Sequence, residues 1–268
     1  MKLSVSNIAW ELEEQDEVLN LFQSKGVSGV EVAPTKYWPG WQGAEPAAAI
    51  NISEDLNTKG LSIPALQAIL FDKPDLQVFS DSQGQTNLLL HLELVAQLAK
   101  AFNADVLVFG SPKNRDPGSR SSVQAFDEAV KFFQRAASIC AKYSVCLCLE
   151  PNPKVYNCKF MTHWQEIREM VNAVSHPGVG IHLDTACIHL EGDNVVEAIN
   201  ECGEQIKHFH ITEPNLADLT QLVLDHASIG KALKSINYNK WLSIEMRRSD
   251  NPLVSIERSI DLVQENYS

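Results

Sequence analysis

The chain has 268 residues, a length that suits either two small domains or one barrel of alternating strands and helices. Its 44% hydrophobic and 21% charged residues describe a globular protein with a large core and exclude a disordered chain. A formal net charge of -12, with no long run of Lys and Arg, argues against a nucleic-acid partner or an acidic membrane surface.

The opening stretch "MKLSVSNIAWELEEQDEV" turns acidic too early for a secretory signal, and no later segment offers about 18 uninterrupted apolar residues. A cytoplasmic protein is expected. Eight short apolar runs then alternate with longer amphipathic ones, the pattern of strand-helix units around a parallel sheet. The strand candidates are "LSVSN" (3–7), "GVEVA" (29–33), "IPALQAI" (63–69), "DVLVFG" (105–110), "VCLCLE" (145–150), "VGIHLD" (179–184), "KHFHIT" (207–212) and "WLSIEM" (241–246). Three helices stand out: "TNLLLHLELVAQLAKAF" (86–102), "SSVQAFDEAVKFFQRAASICAKY" (121–143) and "PLVSIERSIDLVQENY" (252–267). The longest interruptions, 34–46 and 72–85, are loops or short irregular helices on the rim. Without a linker or low-complexity tract, eight units favour a single-domain (β/α)8 TIM barrel over residues 1–268. The six cysteines form no C-x-x-C pair and are expected to be reduced thiols, mostly buried.

Barrel active sites form at the C-terminal ends of the strands, and four consecutive strands each end in a group suited to metal or proton chemistry. These are Glu150, Asp184, His210 and Glu245. Side chains alternate along a strand, so one inward register can aim all four at a common point. Three carboxylates and an imidazole suit a divalent cation, which also offsets their mutual repulsion. Mn²⁺ comes first, with Mg²⁺, Co²⁺ or Zn²⁺ as alternatives.

The segments "CLEPNP" around Glu150, "HLDTA" around Asp184, "HFHITEPN" around His210 and "WLSIEM" around Glu245 carry a resemblance that extends over essentially the whole chain. On these motifs the sequence resembles the xylose-isomerase-like TIM barrels, which include sugar phosphate isomerases/epimerases, ketose 3-epimerases, hydroxypyruvate isomerase and endonuclease IV. The resemblance implies that Glu150, Asp184, His210 and Glu245 hold one divalent metal and that Glu150 and Glu245 are the catalytic acid/base pair. A metal that held a carbonyl and its neighbouring hydroxyl would acidify the C–H between them and stabilise the enediolate. Proton return to the opposite face gives epimerisation, and return to the adjacent carbon gives isomerisation. A dehydratase or lyase on a polyhydroxylated substrate, inosose-dehydratase-like, is the alternative; a non-catalytic sugar-binding barrel is the third. Ketose 3-epimerases usually hold substrate with a His, a Glu and an Arg where this chain has Cys187, Tyr156 and Leu216. Endonuclease IV needs three zinc ions and a basic surface; His226 and Glu31 alone do not supply these in an acidic chain.

The expected ligand is a small sugar or sugar phosphate, and self-association into a homo-oligomer stays open. Substrate contacts are expected from His182, Cys187, Arg247, Gln67, Lys113 and Tyr156. His182, and after it His208, are also candidates to support the metal ligands from a deeper layer. Lys154 and Arg115 are further rim cations that could meet a phosphate or carboxylate. Glu213 could reach a hydroxyl, Trp10, Trp38 and Trp41 could form an aromatic wall, and His189 reads as a loop residue.

Overall fold

Runs of Val, Ile, Leu and Phe separated by amphipathic stretches fold as a (β/α)8 barrel in the computed structural model, which describes residues 1–268. The strands are β1 (Lys2–Ser6), β2 (Gly29–Glu31), β3 (Ala65–Leu66), β4 (Val106–Phe109), β5 (Cys146–Leu149), β6 (Val179–Asp184), β7 (Ile206–Ile211) and β8 (Trp241–Ile244). All ladders are parallel, in the order β2-β1-β8-β7-β6-β5-β4-β3. Isolated bridges pairing Gly29 with Ser62 and Val32 with Leu66 connect β2 to β3 and close the ring.

Most strands are shorter than their apolar runs. The extreme case is β3, two residues inside the run 63–69. Pro64 has no N–H to donate, and Ala68 adopts φ 52°, so neither flank can extend the ladder. Conversely, the helix expected from Thr86 begins at Ser82, because Asp81 accepts the Gly84 N–H at 2.8 Å and caps a turn that sequence periodicity does not reveal. The helix Ser122–Lys142 starts with a capping box in which Ser121 and Gln124 satisfy each other's backbone N–H. Inside the rim segment 34–46, Pro34–Tyr37 is one helical turn and Pro46 opens the helix Pro46–Thr58.

Outward strand residues such as Val30, Leu107, Leu149, Leu183, Phe209 and Ile244 pack against the helices in one continuous core. The interior of the barrel is divided. Ala65, Val106, Val108 and Cys148 make a small apolar cluster on β3 to β5. The opposite side carries Ser4, Ser6, Glu31, His182, His208, His210 and Ser243, all buried. Barrel interiors are usually filled by apolar layers, and buried polar groups are costly unless they pair. This polar half forms the foundation of the site. All six cysteines are free, and only Cys146 is not fully buried. No helix is long and apolar enough to cross a membrane.

Candidate metal centre and active site

The C-terminal ends of the strands enclose a cavity of about 460 Å³, a volume typical of small-ligand sites. Its polar lining includes Glu150, Asp184, His210 and Glu245, so the inward register places the four expected groups together. His210 Nδ1 lies 3.2 Å from Glu245 Oε2 and 3.8 Å from both Glu150 Oε1 and Asp184 Oδ2. It is buried and aligned for a hydrogen bond with none of them. One lone-pair nitrogen facing three carboxylates is the donor set of an oxygen-rich divalent cation site. The remaining partners are arranged accordingly. On the far side of its ring, His210 Nε2 contacts Glu31 Oε1 and Oε2 at 3.0 and 2.9 Å. Asp184 Oδ1 accepts the Thr212 hydroxyl and the Cys187 N–H, both at 2.7 Å, leaving Oδ2 directed at His210. Glu150 Oε2 accepts from Asn152 Nδ2 at 2.9 Å, and its backbone carbonyl accepts from Arg115 at 2.9 Å.

The electrostatics report the same crowding. Burial, then repulsion from Glu150 and Glu245, pushes the Asp184 carboxyl up to about 7. Burial also raises Glu150, opposed by His210 and the Asn152 amide. For His210, burial disfavours the cation, but Glu31 and Glu245 outweigh it and raise the imidazole well above its ordinary range. A divalent cation among these groups would do what a proton does in its absence. The residues present therefore fit a metal.

Of the expected substrate contacts, Gln67, Tyr156 and Cys187 line the cavity. Gln67 donates to Ser6 Oγ at 2.6 Å, while the Tyr156 hydroxyl accepts the Asn215 N–H at 3.0 Å and ties the loop after β5 to the loop after β7. His182 does not reach the cavity. It is completely buried, 3.3 Å from Glu150 Oε1 but misaligned for a hydrogen bond, with both ring nitrogens unpartnered. Lys113 and Arg247 lie exposed outside it, because each sits past its strand end where the chain has turned away. Arg247 lines a separate surface depression with Arg248 and Asp250. Lys154 is exposed and paired with Glu191. Glu213 is spent on His226, at 2.9 Å, and on the backbone of Val223 and Leu224. The three tryptophans pack inward rather than forming a sugar wall: Trp10 on Phe22, Trp38 on Phe102, and Trp41 on His91.

Three site residues have no signature in the sequence. Asn152 follows Glu150 by two, within the quoted "CLEPNP", and only the geometry shows its amide on the carboxylate. Thr212 sits past the end of β7, and Gly110 ends the apolar run of β4. A Cβ on Gly110 would stand 2.2 Å from Glu150 Oε2, so only glycine leaves room for that carboxylate.

The model of the xylose isomerase-like TIM barrel family matches residues 19–266. The chain belongs to this family. Two curated relatives are D-psicose 3-epimerases. The one from Enterocloster bolteae is 34% identical over 74 residues, 28% of this chain and 25% of the relative. That from Ruminiclostridium cellulolyticum is 29% identical over 120 residues, 45% of this chain and 41% of the relative. The matches thus span well under half the length of either relative. Among solved structures, D-psicose 3-epimerase from Clostridium cellulolyticum H10, crystallised with D-tagatose, superposes with a TM-score of 0.83 at 16% identity, covering 100% of both chains. A protein described as the probable 3-DHS dehydratase of Bacillus anthracis gives 0.77 at 17%, again over 100% of both. At these identities the structures establish the shared barrel.

Proposed function

We propose that the protein is a divalent-metal-dependent isomerase or epimerase of an unphosphorylated sugar, with Glu150 and Glu245 as its acid/base pair. The observation that carries this reading is the convergence of Glu150, Asp184 and Glu245 on the unpartnered Nδ1 of His210 at the wall of a sugar-sized cavity. Partial matches to D-psicose 3-epimerases support the reaction class.

Glu150, Asp184, His210 and Glu245 would hold the cation, with Mn²⁺ the first choice for a set of three carboxylates and one imidazole. When bound, the cation would act as a Lewis acid toward a carbonyl and its neighbouring hydroxyl, lowering the cost of removing the proton between them. Glu150 and Glu245 enter from different strands, so one can take the proton and the other can return one. Burial favours the protonated form of Glu150, the direction that suits a group returning a proton. Asp184, held by Thr212 and the Cys187 N–H, keeps a fixed orientation and serves as ligand.

The cavity also supports a choice between sugar and sugar phosphate. No Lys or Arg side chain lines it. Arg115, another rim cation expected from the sequence, is wholly buried with one nitrogen on the Glu150 carbonyl. A phosphate dianion would face carboxylates with no cationic side chain to receive it.

The test is uptake of deuterium from solvent into ketoses and aldoses in the presence of Mn²⁺, with Glu150→Gln and Glu245→Gln as comparisons. Exchange giving products of unchanged mass, lost in either variant, is the expected result. A product lighter by one water would replace this reading with dehydration. No exchange into any sugar, with Mn²⁺ bound, would reject it.

A further inference from the structure

Glu31 reaches the centre of the barrel from β2, on the far side of His210 from the three carboxylates. It is completely buried, and its two oxygens are shared by three donors. Oε1 lies 3.0 Å from His208 Nε2 and 3.0 Å from His210 Nε2; Oε2 lies 2.9 Å from His210 Nε2 and accepts from Ser243 Oγ at 2.5 Å. A carboxylate can only accept, so the His210 Nε2 that faces both oxygens must carry a proton. In the neutral ring, that leaves Nδ1 as the lone pair, and Nδ1 is the atom turned to Glu150, Asp184 and Glu245.

We infer that Glu31 is the positioning residue of the metal centre: it fixes His210 as the Nε2–H tautomer, holds its ring plane and raises the basicity of Nδ1, and so sets how tightly the cation is retained. The assignment rests on the metal reading above and adds a residue to it. His208 and Ser243 in turn hold Glu31. Without Glu31, the acceptors that His210 faces are the three carboxylates at Nδ1, and the proton moves to Nδ1, where it blocks the ligand position. Partners of this kind typically contribute 10- to 100-fold in metal affinity. The function of Glu31 is therefore separate from that of the acid/base pair, since it touches neither the cavity nor a reacting atom.

The experiment titrates Mn²⁺ into the purified, chelator-stripped protein and follows free Mn²⁺ by electron paramagnetic resonance. Glu31→Gln keeps the volume and is expected to bind Mn²⁺ about 10- to 100-fold more weakly than the unaltered chain, and Glu31→Asp to recover part of the loss. His208→Gln keeps a side-chain N–H donor for Glu31 and leaves the Glu31–His210 contact, and should retain most of the affinity that Glu31→Gln loses. Equal losses in Glu31→Gln and His208→Gln would show a packing effect and overturn the assignment. If Glu31→Gln does not fold, long-range ¹H–¹⁵N spectra of the unaltered protein loaded with diamagnetic Mg²⁺ decide the matter: a proton on Nε2 supports the assignment, and a proton on Nδ1 overturns it. Affinity in folded Glu31→Gln equal to that of the unaltered protein would overturn this inference alone. Failure of the unaltered protein to bind Mn²⁺ would overturn the metal reading with it.

Discussion

The side-chain amide of Asn152 donates to Glu150 Oε2 at 2.9 Å, while Glu150 Oε1 points to His210 Nδ1 at 3.8 Å, so one carboxylate is divided between a fixed partner and the metal position. Replacing Asn152 with Leu removes the donor at similar volume. Proton exchange into substrate should fall about 10- to 100-fold, the usual consequence of a catalytic group displaced by about an ångström. The amide stabilises the ionised form, so its loss raises the Glu150 carboxyl further and moves the acid limb of the pH–rate profile to higher pH. An unshifted limb with an unchanged rate would show that Asn152 does not orient Glu150.

Gly110 forms the surface on which the same carboxylate rests. In Gly110→Ala the new methyl would lie 2.2 Å from Glu150 Oε2 and 3.4 Å from Asn152 Oδ1. The side chain is easier to move than the β4 backbone, so Glu150 should swing away. The strain is about 1–3 kcal/mol, small against the loss of a correctly placed ligand. Mn²⁺ affinity should drop well beyond any change in the melting temperature of the metal-free protein. A fall in stability with affinity unaltered would contradict this.

Asp184 gives the metal-free protein a pH dependence of known sign. In the folded state its carboxyl keeps the proton up to about 7, against about 3.9 in the unfolded chain. Between those values the folded state holds more protons than the unfolded state, so the contribution of Asp184 to stability falls as pH rises from about 4 to about 7 and is level above. The contribution is isolated by subtracting the behaviour of Asp184→Asn, which does not titrate. Added Mn²⁺ should stabilise increasingly over the same interval, because the cation and the proton compete for one carboxylate. Denaturant unfolding of the chelator-treated pair at several pH values checks the slope. A difference that rises with pH would reverse the assignment.

The barrel and its four strand-end groups were legible because both depend on local pattern. In β6 the run 179–184 matches the observed Val179–Asp184, and the alternation that buries Ile181 and Leu183 outward sends His182 and Asp184 inward. The supporting residues were not legible, because they depend on which distant strands meet. Glu31 and His210 are 179 positions apart, and nothing in "GVEVA" marks its acid as the partner of a histidine on β7. Asp184 and Thr212 meet only through the register that pairs β6 with β7. Lys113 and Arg247 failed as cavity residues for a related reason. Alternation still aims Glu150 and Glu245, one residue past β5 and β8, but it no longer applies at Lys113 and Arg247, which lie deeper in the loops that follow Phe109 and Ile244.

The charge of the cavity gives a prediction about substrate. Glu150, Asp184 and Glu245 carry three negative charges when ionised, a divalent cation cancels two, and no Lys or Arg on the wall offsets the remainder. A phosphate dianion held ~8 Å away at an effective dielectric of ~20 meets roughly 4 kcal/mol of repulsion from that one net charge. A ketose should therefore exceed its terminal phosphate ester in kcat/KM by about 100- to 1000-fold, part of the repulsion being screened. The gap should narrow as salt is raised from about 10 mM to about 0.5 M, because screening weakens charge repulsion and leaves steric exclusion untouched. Deuterium exchange into matched pairs of free and phosphorylated ketoses measures it. Equal rates for the two would mean that a cation outside the cavity, such as the exposed Lys113, reaches the bound substrate.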